Sequence, residues 1–348
     1  MRAAIDTSLF MYKYKYRSGD KFIVDFLEQI NRLLINNIEP VYIFDGAPPV
    51  EKKDTIKSRK ERKENYQNKI NLLKTELDTL KTQSLQTQGG QNISKEEIEK
   101  KESLLIEEIN KIQKKTISVT SDDISRLKYF LDIMNIKHIK MNMEADIVCS
   151  KLSSEGLIEL VISEDMDHLT SGTKILLRDF NNKNNYVTVY NLNTMLTCLN
   201  FNSEMFIILC ILFGCDYVSR IRGLGYKSSY KIIKGINDTN TSSQQKVSDT
   251  NIKDTIENKD VVDIDTLISK ILQSKKLVIP DDFKNKFTKA QNIFRNNITL
   301  NVDEEFFNNN NEIFDNQVKV VKDYLVKYTS FTEQKIKNRL KNIFGYCI

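Results

Sequence analysis

Acidic residues stand directly after several short apolar runs in this 348-residue sequence. Runs such as RAAI at 2–5 and VYIF at 41–44 have the length and composition of buried strands. In an open α/β sheet, ligands bind outside the carboxyl ends of the strands. The carboxylates that follow four predicted strands are Asp6, Asp45, Glu144, Asp146, Glu164, Asp165 and Asp167. We expect these side chains to line one edge of a sheet.

Crowded carboxylates predict a site for hard metal ions. A single strand-end aspartate is usually a turn or helix-capping residue, but four such strand ends would fill one cleft with negative charge. Oxygen ligands without histidine or thiolate partners favour Mg²⁺ or Mn²⁺ as the neutralising cation. Two such ions suit phosphodiester cleavage, because one activates water and both stabilise the attacking and leaving oxygens. We interpret His168, in the same stretch, as a helix-capping or surface histidine and not as a ligand.

Basic residues near the acidic ones indicate a phosphate-rich partner. More than half of the stretch KKDTIKSRKERK at 52–63 is Lys or Arg. Alone, such a run is usually a solvated helix face, but beside Asp45 it favours contact with a nucleic-acid backbone. We expect several phosphate contacts, with Arg62 and Lys63 among them, from its seven cations, which are Lys52, Lys53, Lys57, Arg59, Lys60, Arg62 and Lys63.

A second phosphate-binding candidate is FGCDYVSRIRGLGYKSSYKII at 213–233. Asp216 follows an apolar helical pattern, and Gly223 and Gly225 separate that pattern from a second helix. Free backbone N–H groups at the start of the second helix could hold a phosphate, assisted by Lys227. This order is typical of a helix-turn-helix element that grips a DNA backbone without reading bases.

Strand and helix patterns alternate along most of the chain. Such alternation predicts the α/β class, with a mostly parallel central sheet and helices on both faces. The predicted strands lie at 2–5, 41–44, 137–141, 157–163 and 174–178. The predicted helices lie at 20–36, 121–134, 144–153, 266–273, 282–296 and 332–344.

Two polar segments interrupt this alternation and divide the chain. Residues 51–117 are predicted to form an inserted helical arch or hairpin, because apolar residues from Ile70 to Leu80 recur at three- and four-residue spacing. Residues 237–263 are rich in Asn, Asp, Ser and Thr, which predicts a flexible low-complexity loop. The remaining predicted parts are the core at 1–50 and 118–236 and a C-terminal helical region at 264–348.

Composition sets the broad class of protein. The chain has 52 Lys and Arg against 47 Asp and Glu, and 40% of its residues are hydrophobic, which excludes global disorder. The longest apolar stretch, 205–215, has about half the length of a bilayer crossing, so we expect no membrane partner. Five scattered cysteines without a C-x-x-C pair favour reduced thiols inside a cell.

Five motifs together resemble the flap endonuclease branch of the XPG-like, 5′ structure-specific nucleases. They stand in the family's order across about residues 2–234, with a weaker match at 331–344. The motifs are AIDTSLFMYKY, VYIFDGAPP, EADIVCSKL, ISEDMDHLTSG and ILFGCDYVSRIRGLGYKSSYKII. The resemblance implies a PIN-like nuclease core that cuts DNA at 5′ flaps and junctions in replication and repair.

The resemblance also implies roles for individual residues. Two metal ions would be held by Asp6, Asp45, Glu144, Asp146, Asp165, Asp167 and Asp216. Lys52 and Arg59 would stabilise the scissile phosphate, and Tyr12 would stack on the adjacent nucleotide. A K⁺ ion at backbone carbonyls near Ile221 and Leu224 would help the glycine-containing turn hold the duplex. The arch would admit a single-stranded 5′ end.

The sequence departs from the family pattern at several positions. Asp146 stands where the family's E-A-E motif has a glutamate, and Arg220 replaces a hydroxyl side chain that helps to bind K⁺. The arch at 51–117 is longer than a typical one. The Met-Gly segment that usually precedes the first strand is missing, so we expect a truncated start or an absent terminal contribution. No Q-x-x-[ILM]-x-x-aromatic-aromatic box for a sliding clamp occurs near the C-terminus.

These observations predict a monomeric, Mg²⁺-dependent nuclease whose partner is branched DNA with a 5′ flap, including RNA-primed 5′ ends. One alternative is a related nuclease that cuts bubbles or Holliday junctions or acts as a 5′ exonuclease. The other is a catalytically dead nucleic-acid-binding relative, which the carboxyl groups at all seven matched positions argue against. We expect a nuclear location, with a viral replication compartment as the alternative.

Overall fold

A mostly parallel sheet forms the centre of the computed structural model, which describes residues 1–86, 95–180, 186–244, 263–274, 277–295, 299–300, 302, 304–308, 315–329 and 331–344. The strands are β1 (Arg2–Asp6), β2 (Glu39–Phe44), β3 (His138–Lys140), β4 (Leu160–Ile162), β5 (Ile175–Arg178) and β6 (Thr188–Asn191). They form a six-stranded sheet in the order β3-β2-β1-β4-β5-β6. Neighbouring strands are parallel except for β6, which is antiparallel to β5. The predicted α/β class is therefore confirmed.

Helices cover both faces of the sheet and extend beyond it. They are α1 (Thr7–Ser18), α2 (Ile23–Ile35), α3 (Lys53–Gln86), α4 (Lys95–Gln113), α5 (Ser121–Ile133), α6 (Ala145–Glu155), α7 (Asp167–Thr170), α8 (Leu192–Leu199), α9 (Ser203–Phe213), α10 (Tyr226–Gln244), α11 (Ile264–Ser274), α12 (Phe283–Arg295), α13 (Glu304–Asn308), α14 (Asp315–Tyr328) and α15 (Glu333–Phe344).

Successive residues of each strand face two different hydrophobic layers. Ala3 and Ile5 of β1 lie in a layer with α1, α2, α5, α14 and α15. Ala4, between them, lies in the opposite layer with α6, α7 and α9. Side chains alternate along a strand, and both faces of this sheet are covered by helices. The strands therefore appear in the sequence as nearly continuous apolar runs.

Helix α1 begins directly at the end of β1. Asp6 is its N-cap, and its carboxylate accepts a hydrogen bond from the Leu9 amide at 3.4 Å. Phe10 and Tyr14, one helical turn apart, are buried against the sheet. Capping and burial together fix the direction in which the chain leaves the strand.

A second hydrophobic core lies among α9, α10, α11 and α12. Helix α9 belongs to both cores, since Phe206 packs on the sheet while Ile208 and Leu212 face the second core. Ile221 and Leu224 bury their side chains in this second core and so anchor the turn between α9 and α10. The helix-turn-helix element is therefore fixed to the sheet through α9.

Helices α3 and α4 form a hairpin that leaves the sheet after β2. A separate small core of Ile70, Leu77, Ile109 and Ile112 joins the two helices. The Lys69 ammonium also binds the Glu108 carboxylate at 2.6 Å across the hairpin. The predicted apolar seam is thus present, whereas the turn of the hairpin falls outside the described residues.

Helix α10 departs from the sequence pattern. A loop is predicted from residue 237, but α10 continues as a helix to Gln244, so this prediction is wrong for 237–244. Ile232, Ile233 and Ile236 are buried and establish the helix, and extending an existing helix costs less than starting one. The rest of the predicted loop, 245–262, lies outside the described residues.

In the part of the chain that the structure describes, no single helix is long and apolar enough to cross a membrane. Only the pair α8 and α9 meets such a criterion, when the two helices, bent by 88° relative to each other, are taken together.

Deleting residues 72–109 and joining the ends with a short glycine linker should leave the rest of the protein folded. The hairpin core shares no residue with the other three hydrophobic clusters. Thermal melting followed by circular dichroism should stay cooperative. Phe130→Ala serves as the destabilising control. Phe130 is buried in the layer that contains Ala3 and Ile5, and its loss should lower the free energy of unfolding by about 3–5 kcal/mol. Loss of cooperative melting in the deletion variant would show that the hairpin belongs to the core.

Candidate active site

Four neighbouring parallel strands carry acidic residues at their carboxyl ends. Across the sheet, the order of these strands is β3, β2, β1 and β4. A seventh carboxylate, Asp216 after α9, reaches the same edge, because Lys52 contacts both Asp216 and Glu144. We define the acidic cluster as the seven residues Asp6, Asp45, Glu144, Asp146, Asp165, Asp167 and Asp216. The structure brings together all the carboxylates that the sequence predicts as metal ligands.

Asp6 is held at the centre of this edge by the end of its own strand. Its Oδ2 accepts a hydrogen bond from the Ser163 hydroxyl at 3.1 Å, in addition to the capping bond to the start of α1. Ser163 comes directly after β4, the parallel neighbour of β1. The Ser163 hydroxyl also accepts a hydrogen bond from the Asp165 amide at 3.1 Å. One serine therefore connects the Asp6 carboxylate to the backbone of Asp165.

Asp45 is held against the start of α6. Its carboxylate accepts a hydrogen bond from the Ala145 amide at 2.8 Å. The next residue, Gly46, donates its amide to the Met143 carbonyl at 2.8 Å. A Cβ atom at Gly46 would lie 2.1 Å from the Met141 carbonyl oxygen, so a side chain at this position would force the two segments apart. Glycine at 46 thus permits the close approach of Asp45 and Glu144.

Glu144 lies at the base of the hairpin and is largely buried. Its carboxylate accepts hydrogen bonds from the Lys52 ammonium at 2.5 Å and from the Tyr217 hydroxyl at 3.2 Å. Burial by itself lowers the pKa of Lys52, but the bond to Glu144 and the neighbouring acids outweigh it and raise that pKa. Lys52 is therefore a fixed positive charge within the cluster.

Asp216 binds the other cation at the hairpin base. The guanidinium of Arg59 contacts both Asp216 carboxylate oxygens, at 2.8 and 3.0 Å. The Thr55 hydroxyl donates to the Asp216 backbone carbonyl at 2.6 Å. The Arg59 side chain remains 60% exposed, so its guanidinium group is accessible from solvent. Lys52, just before α3, and Arg59, within its first turns, thus direct two cations into the acidic cluster.

Burial and mutual repulsion raise the pKa of two carboxyls in the cluster. Burial, together with Glu144, raises the pKa of Asp146 to about 6. Burial, together with Asp165 and Asp216, raises the pKa of Asp167 to about 7. The carboxyl group of an ordinary aspartate has a pKa of about 3.9. The acidic cluster is therefore short of positive charge, despite the two cations beside it.

The side chains do not form a closed coordination sphere as they stand. Within the described ranges, no group of three or more His, Cys, Asp or Glu side chains converges closely enough to hold a metal ion. The carboxylate oxygens instead bind internal donors such as Lys52, Arg59 and Ser163. Bringing several of these oxygens onto one ion requires them to exchange those partners.

The remaining predicted contact residues lie around the cluster without touching it. Arg62 and Lys63 follow Arg59 at three- and four-residue spacing, so they extend the same face of α3. Tyr12 lies on α1 and is 51% exposed. Among the described residues, no hydrogen bond or ion pair joins Tyr12, Arg62 or Lys63 to the acidic cluster.

The glycine-containing turn lies between α9 and α10. Gly223 has a φ of +87°, in the left-handed region that favours glycine. The Gly225 carbonyl accepts the amides of Ser228 and Ser229, which begins α10. Lys227 lies in the first turn of that helix. The turn thus presents a helix start and a cation, as the sequence predicts.

His168 is not the surface or capping residue that the sequence suggests. Its side chain is fully buried, with Nε2 3.7 Å from Asp6 Oδ2, and the N-cap of α7 is Met166, without a side-chain bond. The sequence around His168 is polar and acidic, so it gives no sign of this burial. In the structure, the three consecutive residues His168, Leu169 and Thr170 of α7 are all buried, and Leu169 packs in the same hydrophobic layer as Ala4.

Two further side chains that position the carboxylates escape sequence reasoning. Tyr217 supports Glu144, and Ser163 supports Asp6. A signal exists for Ser163, which is the polar residue directly after the apolar strand β4 and just before three acidic residues. Tyr217 follows Asp216, and only the fold shows that it reaches a residue 73 positions away.

Two family descriptions match the chain. Residues 2–66 match the XPG N-terminal domain, and residues 135–216 match the XPG I-region. These two segments contain all seven carboxylates of the acidic cluster as well as Lys52 and Arg59. The chain belongs to the XPG-like nuclease family. The hairpin beyond residue 66 separates the two XPG segments.

Similar curated proteins are flap endonucleases. Flap endonuclease 1 of Cryptosporidium muris is 32% identical over 264 residues, which cover 68% of this XPG-like chain and 50% of that protein. Flap endonuclease 1 of Cryptosporidium parvum is 27% identical over 377 residues, covering 98% and 64% of the two chains. The XPG-like chain thus spans between half and two-thirds of the length of these relatives.

Solved structures share the fold. The catalytic core of Rad2 in complex with DNA substrate has a TM-score of 0.62 and 20% identity, and the match covers 98% of this chain and 92% of that one. Flap endonuclease-1 from Methanococcus jannaschii has a TM-score of 0.59 and 20% identity, covering 99% and 91%. The junction-resolving enzyme GEN1 with product DNA and Mg²⁺ has a TM-score of 0.59 and 15% identity, covering 99% and 69%. The XPG-like chain therefore has the PIN-like nuclease fold.

Asp167→Asn should stabilise the metal-free protein at pH 8. In the folded protein the Asp167 carboxyl keeps its proton up to about pH 7, whereas in the unfolded chain it loses the proton at about pH 4. The Asp167 carboxyl therefore makes its full contribution to the free energy of unfolding below about pH 4, and this contribution is lost as the pH rises through about 7. We expect a gain of about 1–3 kcal/mol at pH 8 and almost none at pH 4.

Thermal melting in EDTA at several pH values measures this difference. Asp132→Asn is the control, because Asp132 pairs with His138 at the start of β3, on the opposite edge of the sheet. Equal melting temperatures of Asp167→Asn and the parent protein at pH 8 would show that Asp167 is not under electrostatic strain.

Proposed function

We propose that this chain is a metal-dependent, structure-specific endonuclease that cuts DNA at 5′ flaps and junctions. The observation that carries the proposal is the acidic cluster, with Lys52 and Arg59 directed into it from the base of the hairpin. Both cations and all the carboxylates fall within the two XPG segments. The flap endonuclease relatives and the likeness to Rad2 in complex with DNA substrate support this substrate class.

The donor set of the cluster fits divalent hard cations. Every member is a carboxylate, and burial together with neighbouring carboxylates raises the pKa values of Asp146 and Asp167. Carboxylate oxygens are the ligands that such cations prefer. One ion would be held by Asp6, Asp45, Glu144 and Asp146, and the other by Asp165, Asp167 and Asp216. When bound, Mg²⁺ or Mn²⁺ would supply Lewis acidity that activates water and neutralises charge on the phosphodiester oxygens. The GEN1 structure with Mg²⁺ supports the choice of metal.

Lys52 and Arg59 would then act on the scissile phosphate. In the structure their partners are Glu144 and Asp216. Neutralising these carboxylates releases both cations, and the planar fork of Arg59 matches the geometry of phosphate oxygens. The side chains that stabilise the free protein thus become the ones that bind and polarise the substrate.

Residues further from the cluster would position the DNA. Tyr12 is exposed on α1 and would stack on a nucleotide beside the scissile phosphate. Arg62 and Lys63 would contact the strand that enters the hairpin. The turn with Gly223 and Gly225 would hold the duplex through backbone amides and Lys227, with a K⁺ ion at the carbonyls near Ile221 and Leu224.

Asp165→Asn and Asp45→Asn should each abolish most cleavage while largely preserving DNA binding. We expect cleavage of an end-labelled double-flap duplex in Mg²⁺ to fall roughly 100-fold or more, because each variant loses charge needed to hold a metal ion. Nicked, bubble and four-way-junction substrates, each with Mg²⁺ and with EDTA, define the preferred structure. Asp132→Asn again provides the matched control.

Two outcomes would contradict the proposal. Near-normal cleavage by both cluster variants would show that the acidic cluster does not hold the catalytic metals. DNA binding without cleavage of any substrate by the parent chain would instead favour a non-catalytic nucleic-acid-binding role.

Arg59→Ala should lower turnover more than DNA affinity. Arg59 reaches the cluster from the hairpin, and an interaction made chiefly in the transition state reduces kcat without an equal change in KM. We expect kcat to fall roughly 10- to 1,000-fold, with less than about a threefold change in KM. Lys57→Ala is the matched control, because Lys57 lies on the same helix and pairs with Glu61. A larger change in KM than in kcat would make Arg59 a docking residue.

A further inference from the structure

A fully buried histidine lies directly beneath the acidic cluster. His168 belongs to the short helix α7, and its side chain has no exposed surface. Within the described part of the chain, neither of its ring nitrogens has a hydrogen-bond partner. Leaving a buried polar group unpaired is unfavourable, because the group has lost its hydrogen bonds to water. A residue used only for packing would avoid that cost by being apolar.

The ring of His168 faces one carboxylate of the cluster. Its Nε2 lies 3.7 Å from Asp6 Oδ2, so a small shift of either side chain forms a hydrogen bond. The same oxygen already accepts the Ser163 hydroxyl at 3.1 Å, and Oδ1 accepts the Leu9 amide at 3.4 Å. His168 would thus complete the set of donors that fixes the orientation of Asp6.

The backbone of His168 is itself held in place. Its carbonyl accepts the Thr173 amide at 3.0 Å and the Ser150 hydroxyl at 3.3 Å. Ser150 and Thr173 are both fully buried, and the Thr173 hydroxyl donates to that of Ser150 at 2.9 Å. A ring anchored in this way cannot move far from Asp6.

We propose that His168 is a positioning residue that donates a hydrogen bond from Nε2 to Asp6 and thereby orients Asp6 for metal binding. This inference rests on the metal-dependent function proposed above. A neutral imidazole with its proton on Nε2 is sufficient, since the interaction is the donation of one hydrogen bond. With Ser163 and His168 on Oδ2 and the Leu9 amide on Oδ1, Oδ1 keeps a lone pair for a cation. Groups that orient a metal ligand commonly change metal affinity by about 10- to 100-fold when they are removed.

Direct Mn²⁺ binding to the full chain without DNA tests this role. Free Mn²⁺ is measured by electron paramagnetic resonance, which needs no catalysis. His168→Gln keeps an N–H donor at the position of Nε2, whereas His168→Met has the same length but no donor. Asp132→Asn is the control, because Asp132 pairs with His138 and does not contact the cluster.

We expect His168→Met to weaken Mn²⁺ binding about 10-fold or more, and His168→Gln and Asp132→Asn to stay within about threefold of the parent. Melting in EDTA shows whether each variant is folded. Should His168→Met not fold, His168→Asn replaces it, because its shorter amide places the donor away from Asp6 and should weaken binding as Met does. Equal affinities of the donor and non-donor variants would reduce His168 to a packing residue.

The same data separate this inference from the proposed function. A parent protein that binds Mn²⁺ but cuts no 5′-flap DNA would overturn the nuclease proposal while leaving the His168 comparison valid. A parent protein that binds no Mn²⁺ would overturn both.

Discussion

Electrostatic repulsion among seven carboxylates is the constraint on which the rest of this structure depends. Parallel strands bring residues from four chain segments to one edge, and nothing in the chemistry of carboxylates holds them together there. Backbone contacts therefore have to hold the carboxylates at this edge. Gly46 allows two segments to approach, and the amide of Ala145 binds Asp45. Burial and the neighbouring carboxylates raise the pKa values of Asp146 and Asp167, so part of the repulsion remains.

Two hydrophobic cores supply the rigidity that this arrangement requires. The sheet is covered on both faces, so its strands and their end residues are fixed. Helix α9 extends this rigidity to Asp216, because it packs on the sheet and also into the second core. Helix α12 of that core reaches the base of the hairpin, where Lys286 binds Asp54 at 3.0 Å. The cations at the base of the hairpin are thus placed by the same packing that places the carboxylates.

Sequence reasoning finds the parts of this site whose backbone positions are set locally. An apolar run followed by an acid marks the end of a buried strand, so Asp6, Asp45 and Asp165 could be identified before the fold was known. The pairing order of the strands is not local, and it decides that these ends are neighbours. The strand β6 is short and half-exposed, which leaves too few buried residues to form a recognisable pattern.

Residues that act on other residues are harder to predict than the ligands themselves. Ser163, Tyr217 and His168 each contact a carboxylate that lies far away in the sequence. Their residue types are ordinary at exposed positions, and nothing in the local pattern of His168 indicates burial. The α10 helix illustrates a related limit, because its polar residues up to Gln244 have low helix propensity, but they follow a buried helical segment.

The internal ion pairs at the base of the hairpin explain how one set of charges can serve both folding and function. Lys52 and Arg59 bind Glu144 and Asp216 and so offset part of the repulsion within the cluster. A divalent cation carries more charge and approaches carboxylate oxygens more closely than an ammonium or guanidinium group does. Glu144 and Asp216 would help to hold such an ion, whose charge would offset the repulsion within the cluster. Lys52 and Arg59 would then be available for phosphate oxygens, so that the same two cations would stabilise the free protein and bind the substrate.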